Sequence, residues 1–321
     1  MTTINWSSPT PLVVKGTTNH IESANSPAVA GLDQNLLIAY VSNNDSKLYS
    51  TQYNVLDGTC SAPTAVPHQA EPVNSPLAVA LRGVYTERSG RIALAYTASS
   101  NLHPNLQFFD MQNESWGSPI DLALLHPNPA HEFSFSPAIS VLGEHLHVIA
   151  PGITPAPREV FDCRYDLFQN EMASPVTTNI SQQVFRGYAC ETLDNSKVVM
   201  VLAGIDSNDG GGAYYYAVFD SYNQSWSTPK ALPGNAYASW QTPSLRSIGG
   251  GKAVMLFAHN SSTIAYGIYD SGTDTWSNAE LLSFTSSGGG PALAVSGTKL
   301  YGFFPMDNSH SYNVITAPIP S

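Results

Sequence analysis

Glu22, Glu71 and Glu132 each stand five residues before the proline of a Ser-Pro pair, at Pro27, Pro76 and Pro137. The same stretches also hold His20, His68, His131, Phe133 and Phe135. Three further stretches carry Val184, Ala238 and Ser286 at that register, near Phe185, Arg186, Tyr188, Tyr237, Trp240 and Gln241. A carboxylate beside an aromatic face suits a sugar. Hydroxyls donate to the carboxylate while the apolar C–H face of the sugar stacks on the aromatic. The ligand-binding candidates are Glu22, Glu71 and Glu132 as hydroxyl acceptors, Phe135, Tyr188 and Trp240 as stacking surfaces, and Arg186 as a donor. The competing reading makes these glutamates solvated loop charges bonded to nearby backbone.

The same residues bear on catalysis. Glycoside hydrolysis needs two carboxyl groups about 5 to 9.5 Å apart. Three glutamates could supply them, yet no pair stands out, so no catalytic residue is assigned. Sialidase chemistry would need an arginine cluster, and only a few of the seven arginines fall at matching repeat positions. Asp206-Ser-Asn-Asp-Gly-Gly-Gly212 resembles part of a calcium loop but lacks the closing glutamate. His259 and His310 are isolated. No metal or other cofactor is expected. Cys60, Cys163 and Cys190 have no metal-ligand spacing and read as buried free thiols.

These residues are positioned by a repeat. Asp220-Ser-Tyr-Asn-Gln-Ser-Trp226, followed by Ser-Thr-Pro229, is copied at Asp270–Trp276 and Asp110–Trp116, with weaker copies at Asp166–Met172 and Asn54–Cys60. Trp6-Ser-Ser-Pro9 is its second half alone. A period of 50 to 56 residues in a chain with 24 Gly and 23 Pro means a repeat architecture built from strands. About 20 residues after each anchor comes the Ser-Pro-type marker, followed by three apolar or alternating runs. Each unit is a four-stranded meander, A to D, with the Asp-x5-Trp stretch as the C–D hairpin.

Four-stranded sheets repeated radially make a β-propeller. The expectation is an all-β, single-domain, six-bladed propeller spanning 1–321. Its blades cover about 26–66, 75–124, 136–177, 188–232, 242–282 and 290–319, the last completed by residues 4–12, so that the N-terminal strand closes the ring. The D–A connections are the longest and most varied, which puts a site on their face or between blades.

The formal net charge of −11 argues against nucleic acid or an anionic membrane as partner. No apolar run approaches the roughly 18 residues of a membrane span. No signal peptide is visible, so a cytoplasmic location, or export by another route, is expected.

With its Trp-anchored four-stranded repeats and its loops rich in Asn, Ser and aromatics, the chain resembles the six-bladed propeller lectins. These occur in fungal fruiting bodies and some bacteria and include fucose- and N-acetylglucosamine-binding members. The resemblance implies a cytoplasmic, glycan-binding, defensive protein, and no enzyme is expected. Such a protein would recognise terminal sugars multivalently, between blades or on the D–A loop face. The alternatives are a protein-interaction scaffold and a glycoside hydrolase or sialidase-like enzyme.

Overall fold

The computed structural model describes residues 3–32, 34–67, 80–86, 89–97, 103–122, 137–151, 160–173, 176–178, 180, 184–194, 196–205, 212–233, 237–238, 241–260, 262–306 and 310–320. These residues form six antiparallel blades around one axis, the expected propeller. The A, B and C strands of blade 1 are Ala28–Leu32, Asn35–Val41 and Leu48–Asn54. Those of blade 2 are Ala80–Thr86, Ser89–Thr97 and Pro104–Asp110. Blade 3 has Ala138–Leu142, His145–Pro151 and Val160–Asp166. Blade 4 has Val184–Leu193, Lys197–Ile205 and Gly212–Asp220. Blade 5 has Ser244–Gly249, Lys252–His259 and Thr263–Asp270, and blade 6 has Ala292–Ser296, Lys299–Met306 and Ser311–Pro318. Among the described residues, no helix is long and apolar enough to cross a membrane.

The hairpin motif works as its residue types dictate. Asp110 and Asp166 accept the backbone N–H groups two and three residues on, and Asp220 and Asp270 accept the one two residues on. The fourth residue of the turn is left-handed in each case: Gly58, Glu114, Asn170, Gln224 and Asp274 have φ between 48° and 71°. These backbone donors hold the Asp110 and Asp166 carboxyls below the usual aspartate range. A carboxyl depressed in the folded state adds stability above its unfolded value, near about 3.9, and loses it as pH falls through the folded value. Stability should therefore be flat down to about pH 5 and decline below about pH 4. Urea midpoints across that range test this, and a flat profile to pH 2 would refute it.

The D strands of blades 1 to 5 depart from expectation because each is broken in two. In blade 2 the pieces are Ser115–Trp116 and Ile120–Asp121, both paired to the C strand. Proline three residues after the anchor (Pro9, Pro63, Pro119 and Pro229) has no N–H to donate and interrupts the ladder. Blade 5 has Ala279 there, and its second piece is the longest, Glu280–Thr285. The residue after the anchor repairs the break. The backbone N–H groups of Ser7, Ser61, Gly117, Ala173, Ser227 and Ser277 all donate to the C strand at 2.8–2.9 Å. The hydroxyls of Ser7, Ser61, Ser227 and Ser277 accept a C-strand N–H in return, at 2.9–3.0 Å. That is the physical content of the repeated Trp-Ser.

The core is six buried clusters of described residues, one at each seam between neighbouring blades. The anchors pack there, as expected. Trp116 donates Nε1–H to Ser50 of blade 1 at 3.3 Å, Trp276 meets Tyr216 of blade 4 edge-on, and Trp6 meets Tyr266 of blade 5. Ser50, Tyr216 and Tyr266 hold one position, four residues before the hairpin Asn or Asp. The three cysteines are buried and form no disulfide.

The ring closes through the N-terminal segment. Thr10–Pro11 pairs with the C strand of blade 6. The chain then folds back so that Val13–Val14 runs parallel to Thr59–Cys60 of blade 1, the one parallel pairing among the described strands. Lys15 adds an ion pair to Asp57 at 3.0 Å. This second attachment was not expected.

Candidate functional site

The A strands line the axis, and the described marker segments of blades 1, 3, 4, 5 and 6 surround a pocket on it. Its walls are residues 26–29 of blade 1, 137–139 of blade 3, 188–190 of blade 4, 242–246 of blade 5 and 291–292 of blade 6. Four prolines, Pro27, Pro137, Pro243 and Pro291, stand at its rim. The described walls enclose about 60 Å³. The D–A connections lead into these segments, so the pocket opens on the face where the sequence placed a site.

The rim is stitched tightly from blade 5 through blade 6 to blade 1. Gly290 N–H donates to Ser26 Oγ at 2.6 Å, Leu293 N–H to Ser244 Oγ at 2.9 Å, and the Gln241 amide to the Gly288 carbonyl. Two pocket hydroxyls are thus already engaged. Thr242 Oγ1 is buried on the wall with no hydrogen-bond partner among the described residues.

Below the rim each blade contributes one rung, set by strand pairing: Ala30, Arg82, Ser140, Glu191, Arg246 and Ala294. Glu191, 1% exposed, lies with Oε2 3.7 Å from Arg246 Nη1. Arg246 also donates to the Leu245 carbonyl at 2.7 Å and to the Val29 carbonyl of blade 1 at 2.6 Å. Sequence reasoning missed both residues by concentrating on loops. Counting rungs through the A strands would have set an acid beside a base in adjacent blades.

The residues singled out from sequence fall as follows. Glu22 is exposed, its backbone bridged to Ser311. Tyr188 is 2% exposed and forms part of the pocket wall and of the seam between blades 3 and 4. Burial so deep leaves little of its ring for a sugar to stack on. Arg186 lies on the A strand of blade 4, where only its backbone is described. Glu71, Glu132, Phe135 and Trp240 lie outside the described residues, as do residues 206–211 of the calcium-like stretch. His259 pairs with Asn260, and His310 lies 3.1 Å from Ser287 Oγ. Among the described residues, no three His, Cys, Asp or Glu side chains are grouped as metal ligands.

A second polar cluster is sealed inside the seam between blades 3 and 4. His147 Nδ1 lies 3.0 Å from both oxygens of Asp162, Arg164 Nε lies 3.5 Å from Asp162, and Arg164 Nη1 donates to Gln224 of blade 4 at 2.5 Å. Arg164 and His147 both pack on Phe219. At 2% and 1% side-chain exposure, His147 and Asp162 cannot meet a substrate.

No protein-family model and no curated protein sequence matches the chain. Solved structures share its fold from end to end. An α-L-arabinofuranosidase from Fusarium graminearum, bound to an iminosugar inhibitor, matches with a TM-score of 0.70 at 10% identity, covering 97% of this chain and 98% of that one. A protein of unknown function from Dyadobacter fermentans gives 0.67 at 10% identity, over 98% and 99%. A polysaccharide lyase gives 0.55 at 10% identity, over 96% and 93%. These likenesses corroborate the propeller. They also correct the expectation of a non-enzymatic lectin, because the neighbours of stated activity are carbohydrate-active enzymes.

Proposed function

We propose that the chain is a glycoside hydrolase working at the axial pocket. The observation that carries this is the pocket's place: it lies on the propeller axis, just beyond the connections in which Glu22, Glu71 and Glu132 stand five residues before the marker prolines. The full-length likeness to the arabinofuranosidase supports hydrolysis as the reaction.

Two carboxyl groups flanking a glycosidic bond suffice for the chemistry. One protonates the leaving oxygen, and the other activates water or attacks the anomeric carbon. Glu22, Glu71 and Glu132 are the proposed source of that pair. The rim prolines offer apolar surface to the C–H face of a sugar, and Thr242 Oγ1 offers a hydrogen bond to a hydroxyl. Trp240, Phe135 and Arg186 remain proposed ligand contacts, while Tyr188, buried in the wall, serves to shape the pocket.

The test is release of reducing sugar from aryl glycosides and plant polysaccharides, arabinan included, by the wild type and by Glu22→Gln, Glu71→Gln and Glu132→Gln. Two of the three variants should lose about 10²- to 10⁴-fold in kcat, the usual scale of general acid–base catalysis, and the third far less. A folded wild type that releases nothing from the panel would end the proposal. A product with a new ultraviolet-absorbing C=C bond would replace hydrolysis by β-elimination.

A further inference from the structure

Beneath the axial pocket, Arg246 makes a connection that skips a blade. Its guanidinium is fixed to blade 5 by the Leu245 carbonyl, yet its other end bonds the Val29 carbonyl of blade 1, with blade 6 between them. The rung alanines of blades 6 and 1, Ala294 and Ala30, keep that path clear of longer side chains. Val29 ends the segment 26–29 that forms the far wall of the pocket, while Arg246 ends the segment 242–246 that forms the near wall. Glu191 sits behind the guanidinium from blade 4, offsets its charge and limits its orientations.

We propose that Arg246 and Glu191 are positioning residues: a clamp that fixes the width of the axial pocket, so that binding in the pocket depends on a pair set below it. The inference rests on the axial pocket being the site, but its geometry can be tested without substrate. Cys190 lines the same pocket at 3% exposure, while Cys60 and Cys163 lie in other seams at 1% and 2%. The three thiols report separately on local and global opening, since labelling requires access to the sulfur.

The experiment is native-state maleimide labelling of the full chain, resolved by mass spectrometry, for the wild type, Glu191→Gln, Arg246→Met and Arg246→Lys. Glu191→Gln keeps the shape and removes the charge, so it reads the clamp even where Arg246→Met folds poorly. Cys190 labelling should accelerate by about tenfold or more in Glu191→Gln and Arg246→Met, with Cys60 and Cys163 unchanged. Arg246→Lys should fall between, because an ammonium cannot span both carbonyls as a planar fork does. An unchanged Cys190 rate in the folded variants overturns the clamp. So does a parallel rise at all three thiols, which would make the pair ordinary structural glue. Where the wild type hydrolyses a glycoside, the same variants should raise KM more than they lower kcat. A wild type without activity would sink the hydrolase reading and leave the thiol comparison intact.

Discussion

Asp162→Ala should lower the free energy of unfolding by about 3–5 kcal/mol, the usual cost of removing one partner from a buried ion pair. The reason lies in what the carboxylate leaves behind. His147 loses both oxygens it meets at 3.0 Å, and Arg164 loses the counter-charge at 3.5 Å while still packed on Phe219. A domain holds only about 5–15 kcal/mol in total, so the transition should move far down in urea. Blades 2 and 4 supply a control, because they fill the same positions with apolar or aromatic residues. Leu106 stands where Asp162 does, Val199 where His147 does, and Val218 where Arg164 does. The triple replacement Asp162→Leu, His147→Val and Arg164→Val should come out near wild type or above it. Urea denaturation followed by tryptophan fluorescence measures both, and a loss below about 1 kcal/mol for Asp162→Ala would contradict the account.

Gly290→Ala should be as damaging by a different route. A Cβ there would lie 2.2 Å from the Thr242 carbonyl oxygen and 3.1 Å from its nitrogen. At Gly289 it would lie 2.3 Å from the Ser26 nitrogen. Both obstacles are backbone of the flanking blades, so no side chain can turn aside. The expected cost is about 3 kcal/mol or more, at or beyond the upper end of ordinary overpacking. Gly302→Ala makes the comparison. Its Cβ would meet Leu256 Cδ2 at 2.8 Å and Ile315 Cγ1 at 2.9 Å, side-chain ends that can shift, at about 1–2 kcal/mol. Because Gly290 N–H also holds Ser26 at the pocket rim, its replacement should abolish sugar release as well as lower Tm. Equal Tm values for the two alanine variants would show that the rim yields more easily than its geometry implies.

The fold was legible because one motif carries its own geometry. Asp or Asn at the hairpin start, a left-handed fourth residue and a Trp, Met or Cys at the seam each solve a local problem that recurs in five blades, so their spacing, with the orphan Trp6 segment closing the sixth, gave the blade count. The broken D strand was half-visible in the prolines of Ser-x-Pro, and the role of the intervening serine was not. The seam cluster was hidden for a plain reason. In a strand, His147, Asp162 and Arg164 read as the solvent-facing half of an alternation, but in a propeller both faces are covered. Glu191 and Arg246 were hidden likewise, since their partnership depends on rung level across blades some fifty residues apart. Loop glutamates drew attention because loops commonly carry sites. The step from sugar chemistry to a lectin failed because a carboxylate and an aromatic near a sugar suit binding and hydrolysis alike.

The double attachment of residues 10–14 bears on the order in which the molecule assembles. Five seams join blades that follow one another along the chain, so each can form as soon as its two meanders exist. The sixth joins Thr10–Pro11 to the blade that ends at Pro318 and Val13–Val14 to the first blade. Its contacts span almost the whole sequence, and the loop entropy of bringing such distant segments together must be met before they give anything back. Ring closure is therefore the late event in folding and its reversal the early event in unfolding. Interactions that form only then, such as the pairing of Thr10–Pro11 with blade 6 and the packing of Trp6 on Tyr266, govern how long the folded ring lasts more than how fast it forms.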